Sequence, residues 1–87
     1  MDTYQIEWKP SAIRELKRLD RQVVQRIISS IEQLQNSPFP SGYRKMRSAE
    51  HSYRLRVGDY RVVYEVFHSR SLIQIVRVRH RKDAYRK

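Results

Sequence analysis

The 87-residue chain contains no cysteine, so neither a disulfide framework nor a thiolate metal site is open to it. No apolar run approaches the length that spans a bilayer, and Met1-Asp2-Thr3-Tyr4 lacks the charged-then-apolar shape of a signal peptide. A cytoplasmic protein with no membrane partner is the expectation. Acidic residues are scarce: nine Asp and Glu stand against nineteen Lys and Arg, leaving a net charge of +10. On one small domain (residues 1–87) that imbalance costs self-repulsion, and it points to a polyanion or an acidic protein as partner. Solubility alone rarely needs so much charge of one sign.

What is present has clear periods. Residues 3–8 alternate, with Tyr4, Ile6 and Trp8 on one side, as in a half-buried strand. Pro10 suits a first helical turn, after which Ala12, Ile13, Leu16 and Leu19 recur at helical spacing. Asp20 is placed to cap a second helix carrying Val23, Val24, Ile27, Ile28, Ile31 and Leu34 on one stripe. With almost no chain between them, the helices form an antiparallel hairpin. Residues 37–52 show no period and carry Arg44, Lys45 and Arg47, so they read as a functional or mobile connection. Strands are expected at 53–57, 60–67 and 72–78, followed by a short basic C-terminal segment. The predicted class is α+β: a four-stranded, mainly antiparallel sheet, in the order strand, helix, helix and three strands, with the helical hairpin on one face.

The stretch from Tyr53 to Phe67 is the most informative. Gly58-Asp59 fits a two-residue hairpin turn, and closing it there sets Val57 opposite Tyr60, Arg56 opposite Arg61, Leu55 opposite Val62 and Arg54 opposite Val63. Alternation then gathers Tyr53, Leu55, Val57, Tyr60, Val62, Tyr64 and Val66 on one face, and Arg54, Arg56 and Arg61 on the other. Two arginines directly opposed in a ladder repel, a local conflict that brings no folding benefit and is expected at functional sites. The competing reading is a solvated face with its side chains splayed into water. Against it, Glu65 is the one carboxylate on these two strands, and guanidinium forks match phosphate oxygens bidentately. Arg77, Arg79, His80, Arg81 and Lys82 end the last strand and enter the basic segment, where His80 adds a titratable ring and Tyr85 a stacking platform.

Tyr53-Arg-Leu-Arg-Val-Gly-Asp-Tyr-Arg-Val-Val-Tyr64 and Val78-Arg-His-Arg-Lys-Asp-Ala-Tyr-Arg86 resemble the RelE/ParE toxin superfamily over essentially the whole chain, and the RelE branch more than the ParE branch. The resemblance implies a RelE-like fold and a toxin that enters the ribosomal decoding site and cleaves mRNA without a metal or other cofactor. In such toxins the 2′-hydroxyl attacks the adjacent phosphate, leaving a cyclic phosphate and a 5′-hydroxyl. It also implies an acidic RelB-like antitoxin, partly disordered when free, with operator DNA bound only through the antitoxin complex. By position, Arg54 and Arg56 fall where the best-known member has lysines. Arg61 falls on a phosphate-binding arginine, Arg81 on an arginine near the leaving group, and Tyr85 on a base-stacking tyrosine. Arg44, Lys45, Arg47, Arg77, Arg79 and Lys82 would hold RNA or ribosome.

Arginine stays protonated in proteins, so Arg54 and Arg56 are poor bases and read as stabilisers of developing phosphorane charge. Proton transfer then falls to His80, or to Glu50 or His51, or the arginines act through charge and positioning alone. Two other readings stay open: a ParE-like gyrase poison on the same fold, and a non-catalytic RNA- or ribosome-binding protein.

Overall fold

The computed structural model describes residues 3–39, 43–45 and 51–80. Its elements are β1 (Gln5–Trp8), α1 (Pro10–Leu16), α2 (Arg21–Leu34), β2 (Tyr43–Lys45), β3 (Ser52–Val57), β4 (Tyr60–Phe67), a 3-10 turn (His68–Arg70) and β5 (Leu72–His80). The strands form one five-stranded sheet in the order β1-β5-β4-β3-β2. The β1–β5 pair is parallel and the other three pairs are antiparallel. The class is the expected α+β, with one strand more than the four read from the sequence. The addition is β2, three residues inside the stretch that shows no period, too short to display an alternation.

Helix α1 starts on Pro10, whose fixed φ and missing N–H suit the first position. Helix α2 follows Asp20, which is extended at the cap position but makes no side-chain capping bond. From α2, Ile27, Ile31 and Leu34 are buried against Leu55, Val62, Tyr64, Val66, Ile73, Ile75 and Val78 of the sheet, joined by Ala12 of α1. Ile13 and Ile28 lie on the outer side of the helices, 38% and 37% exposed, and do not belong to the core stripe in which periodicity placed them. No helix among the described residues is long and apolar enough to cross a membrane.

The β3–β4 hairpin has the expected register at every pair, Val57 to Tyr60, Arg56 to Arg61, Leu55 to Val62 and Arg54 to Val63. Gly58 has φ +59°, a left-handed conformation that an L side chain adopts only at a cost. In β5 the pairing slips: Tyr64 opposes Ile75 while Val63 opposes Arg77, so Val76 is an extra residue, a β-bulge. The bulge inverts the alternation. Ile73, Ile75 and Val78 all turn into the core, and Arg77 and Arg79 turn outward. Helix α1 holds it there, because Ser11 Oγ donates to the Val76 carbonyl at 2.8 Å and Lys9 N–H to the Ile75 carbonyl at 2.9 Å.

Candidate functional site

The sheet face away from the helices carries the arginines. Arg54 is opposite Arg44 of β2 and Val63 of β4. In the neighbouring row Arg61 sits between Arg56 and Arg79. Arg44, Arg54, Arg56 and Arg61 line a recess of about 210 Å³. That is below the usual volume of a pocket for a drug-sized ligand, roughly 300–1,000 Å³, and suits a group as small as a phosphate with part of its sugar. Arg54 and Arg61 are half-buried and Arg44 and Arg56 are exposed, so the cluster is deep at one side and open at the other. The Arg61 Nε is itself buried. Two strand ladders, rather than a loop, fix the spacing of these four guanidiniums. Such rigid elements hold a site more tightly than loops do.

Arg77 and Arg79 also leave the sheet on this face, but both are drawn to its edge by Glu15. Arg77 Nη1 donates to Glu15 Oε2 at 3.2 Å and Arg79 Nε donates to the same oxygen at 3.1 Å. The other oxygen of Glu15 accepts the Val78 N–H at 2.8 Å. Beyond Trp8, β1 no longer covers β5, so one carboxylate closes that exposed edge and pairs with two cations. These two arginines, read from the sequence as RNA or ribosome contacts, are held in an intramolecular ion-pair network.

His80 does not share the arginine face. Its backbone partner is Tyr60, whose ring it meets edge-on at 5.1 Å, and Tyr60 packs towards the core side of the sheet. The bulge-shifted alternation therefore sets His80 on the sheet face opposite Arg54, Arg56 and Arg61. His51 is exposed and its ring lies 5.5 Å from that of Phe67. Phe67 is six residues along β4 from Arg61, roughly 20 Å at strand spacing. Lys45 is paired with Tyr53 and so projects from the face opposite Arg44. Arg47, Glu50, Arg81, Lys82 and Tyr85 lie outside the described residues.

Among the described residues the recess lining contains no carboxylate and no imidazole, and no three His, Asp or Glu side chains converge as metal ligands would. Arginine cannot accept a proton at neutral pH, so these side chains offer charge, hydrogen bonds and orientation. They suit binding a phosphodiester and stabilising negative charge that builds on it. Sequence reasoning counted Arg44 among peripheral RNA contacts, because its place beside Arg54 depends on the short β2 pairing. It missed Glu15, whose partners lie more than sixty residues away.

Relatives share this architecture. The family model for the ParE toxin of the type II toxin–antitoxin system parDE matches residues 6–85. An Escherichia coli protein described as a putative RelE-like toxin is 30% identical, the match covering 94% of this chain and 90% of the relative. The archaeal RelE–RelB complex from Pyrococcus horikoshii contains a chain that superposes with TM-score 0.81 at 26% identity, covering 91% of this chain and 96% of that one. A chain of the RelB–RelE antitoxin–toxin complex from Methanococcus jannaschii gives TM-score 0.75 at 30% identity, covering 91% and 94%. Fold, length and sequence agree, and the chain belongs to the RelE/ParE superfamily of type II toxin–antitoxin toxins.

Proposed function

We propose that this toxin is an endoribonuclease that cleaves mRNA in the ribosomal A site and so arrests translation. The observation that carries the reading is the recess of Arg44, Arg54, Arg56 and Arg61, four cations converging with no carboxylate in the described lining. In the proposed reaction the RNA 2′-oxygen attacks the adjacent phosphorus and the bond to the 5′-oxygen breaks, giving a cyclic phosphate and a 5′-hydroxyl. The 2′-hydroxyl gives its proton to water, and the departing 5′-oxygen takes one from water. The arginines bind the non-bridging oxygens, align the attack and offset the charge of the phosphorane. The ribosome supplies an ordered substrate, so the side chains of the described lining need only align and stabilise it, and solvent water carries the protons.

Charge also supports an acidic antitoxin as partner. A body with net charge +10 is stabilised by a protein of opposite sign, and the solved relatives include complexes with RelB. In this reading operator DNA is contacted through the toxin–antitoxin complex.

The test is primer extension on mRNA from cells expressing the toxin, with translation and replication followed by pulse labelling. New 5′ ends within translated codons, with protein synthesis stopping first, are expected. A second reading, gyrase poisoning, draws on the match to the ParE family model. Replication stopping first, with intact messages, would establish that reading instead.

A further inference from the structure

A second polar groove adjoins the arginine recess. It runs between α2 and the tip of the β3–β4 hairpin, and its lining includes Gln22, Gln25, Arg26, Ser29, Arg56 and Gly58. Arg56 is the wall shared with the recess, so one side chain separates the two. Gln22, Gln25, Arg26 and Ser29 are exposed and fall on one face of α2, at the three- and four-residue spacing of neighbouring turns. The buried stripe of Ile27, Ile31 and Leu34 occupies the other side.

The hairpin tip lies against one of the cations. A Cβ at Gly58 would lie 3.3 Å from Arg26 Nη2, so the Arg26 guanidinium rests where a side chain would otherwise stand. That contact brings Arg26 across from its helix to the strand end that carries Arg56. Neither arginine makes an ion pair among the described residues, whereas Arg77 and Arg79 are matched by Glu15 and Lys9 by Glu65. The described lining of the groove holds two guanidiniums, amides and hydroxyls, and no carboxylate. Guanidiniums fit phosphate oxygens, while glutamine and serine can pair with sugar hydroxyls and base edges.

Resting on the reading of the recess as the cleavage site, we infer that this groove binds the nucleotides flanking the scissile one on the same RNA strand. Arg26 takes a flanking phosphate. The strand leaves the recess past Arg56, crosses the hairpin tip at Gly58 and lies along α2. The toxin thus grips its substrate beyond the bond it cuts.

The experiment measures binding of the intact toxin to a trinucleotide and to a nonanucleotide by fluorescence anisotropy over a salt series. Both RNAs are 2′-O-methylated throughout, so they cannot cyclise. Wild type is expected to show the steeper salt dependence on the nonanucleotide. Arg26→Ala should lower that slope by about 0.7, one phosphate contact on a single strand, and leave trinucleotide binding unchanged. Arg26→Lys should retain the slope, and thermal melting should show both variants folded. Wild-type affinity and slope for Arg26→Ala on the nonanucleotide would overturn the inference. So would an equal loss on both lengths, which would report only the drop in net charge. Arg26→Ala that binds both oligonucleotides normally but sediments less with ribosomes would assign the groove to a separate RNA, and overturn it too. Failure of the recess itself reads out separately: Arg54→Ala would then bind both lengths like wild type.

Discussion

Arg79 stands directly opposite Arg61 in the β4–β5 ladder, yet its Nε is turned to Glu15 at 3.1 Å. The row Arg56–Arg61–Arg79 would otherwise place three like charges side by side, and opposed like charges destabilise a sheet. Glu15 removes one member of the row from the conflict and leaves Arg56 and Arg61 to the recess. The same carboxylate accepts the Val78 amide at 2.8 Å, so charge balance and closure of the sheet edge depend on one side chain.

Glu15→Ala should therefore cost more than a surface ion pair. It leaves the Val78 N–H without its acceptor, and an unsatisfied polar group costs about 1–3 kcal/mol. Arg77→Ala removes only a half-exposed charge and should cost less than about 1 kcal/mol. Urea denaturation of the two variants compares them directly. Equal midpoints would mean that the edge contact contributes nothing.

Arg56→Ala should separate stability from activity. The residue is exposed and faces Arg61, so its removal relieves repulsion and leaves the melting temperature unchanged or slightly higher. Ribosome-programmed cleavage should fall by about two to three orders of magnitude, as for loss of one preorganised stabiliser of transition-state charge. Wild-type cleavage by this variant would place the chemistry elsewhere.

Single-turnover cleavage by His80→Ala is expected to stay within a few-fold of wild type. The ring lies edge-on to Tyr60 on the core side of the sheet, away from the arginine recess. Loss of a true general acid or base costs about a hundredfold or more, and a loss of that size would return the imidazole to the reaction.

Gly58→Ala should strain the hairpin, because φ +59° costs an L residue roughly 1–2 kcal/mol. The new methyl group would also stand 3.3 Å from Arg26 Nη2 and push that guanidinium aside. A lower melting temperature is expected, with Gly58→Asn less affected because asparagine tolerates this region better. Calorimetry on the three proteins checks the order.

Tyr64→Phe tests how the chain is tied down after α2. The buried hydroxyl donates to the Pro38 carbonyl at 2.8 Å, while Phe39 packs edge-on to Tyr53 at 5.0 Å. Loss of the hydroxyl should cost about 0.5–1.5 kcal/mol and speed proteolysis near residue 39. An unchanged digestion pattern would mean that the hydrogen bond does not anchor this segment.

Local pattern was enough for much of this protein. The period of the helices, the turn at Gly58-Asp59 and the alternation along 53–67 determined the hairpin register and put Arg54, Arg56 and Arg61 on one face, because a two-residue turn leaves the ladder no freedom to slip. Composition pointed to an acidic or polyanionic partner. Other features depended on contacts between segments far apart in the chain. β2 is a strand only because β3 offers it an edge, and that pairing is what brings Arg44 to Arg54. The bulge at Val76 is held by Ser11 in the first turn of α1 and by Lys9 just before it. It inverts the alternation of β5, sends His80 to the core side and hands Arg77 and Arg79 to Glu15. A one-residue slip in a period of two reverses every side chain beyond it, so only tertiary packing could decide which cations reach the site.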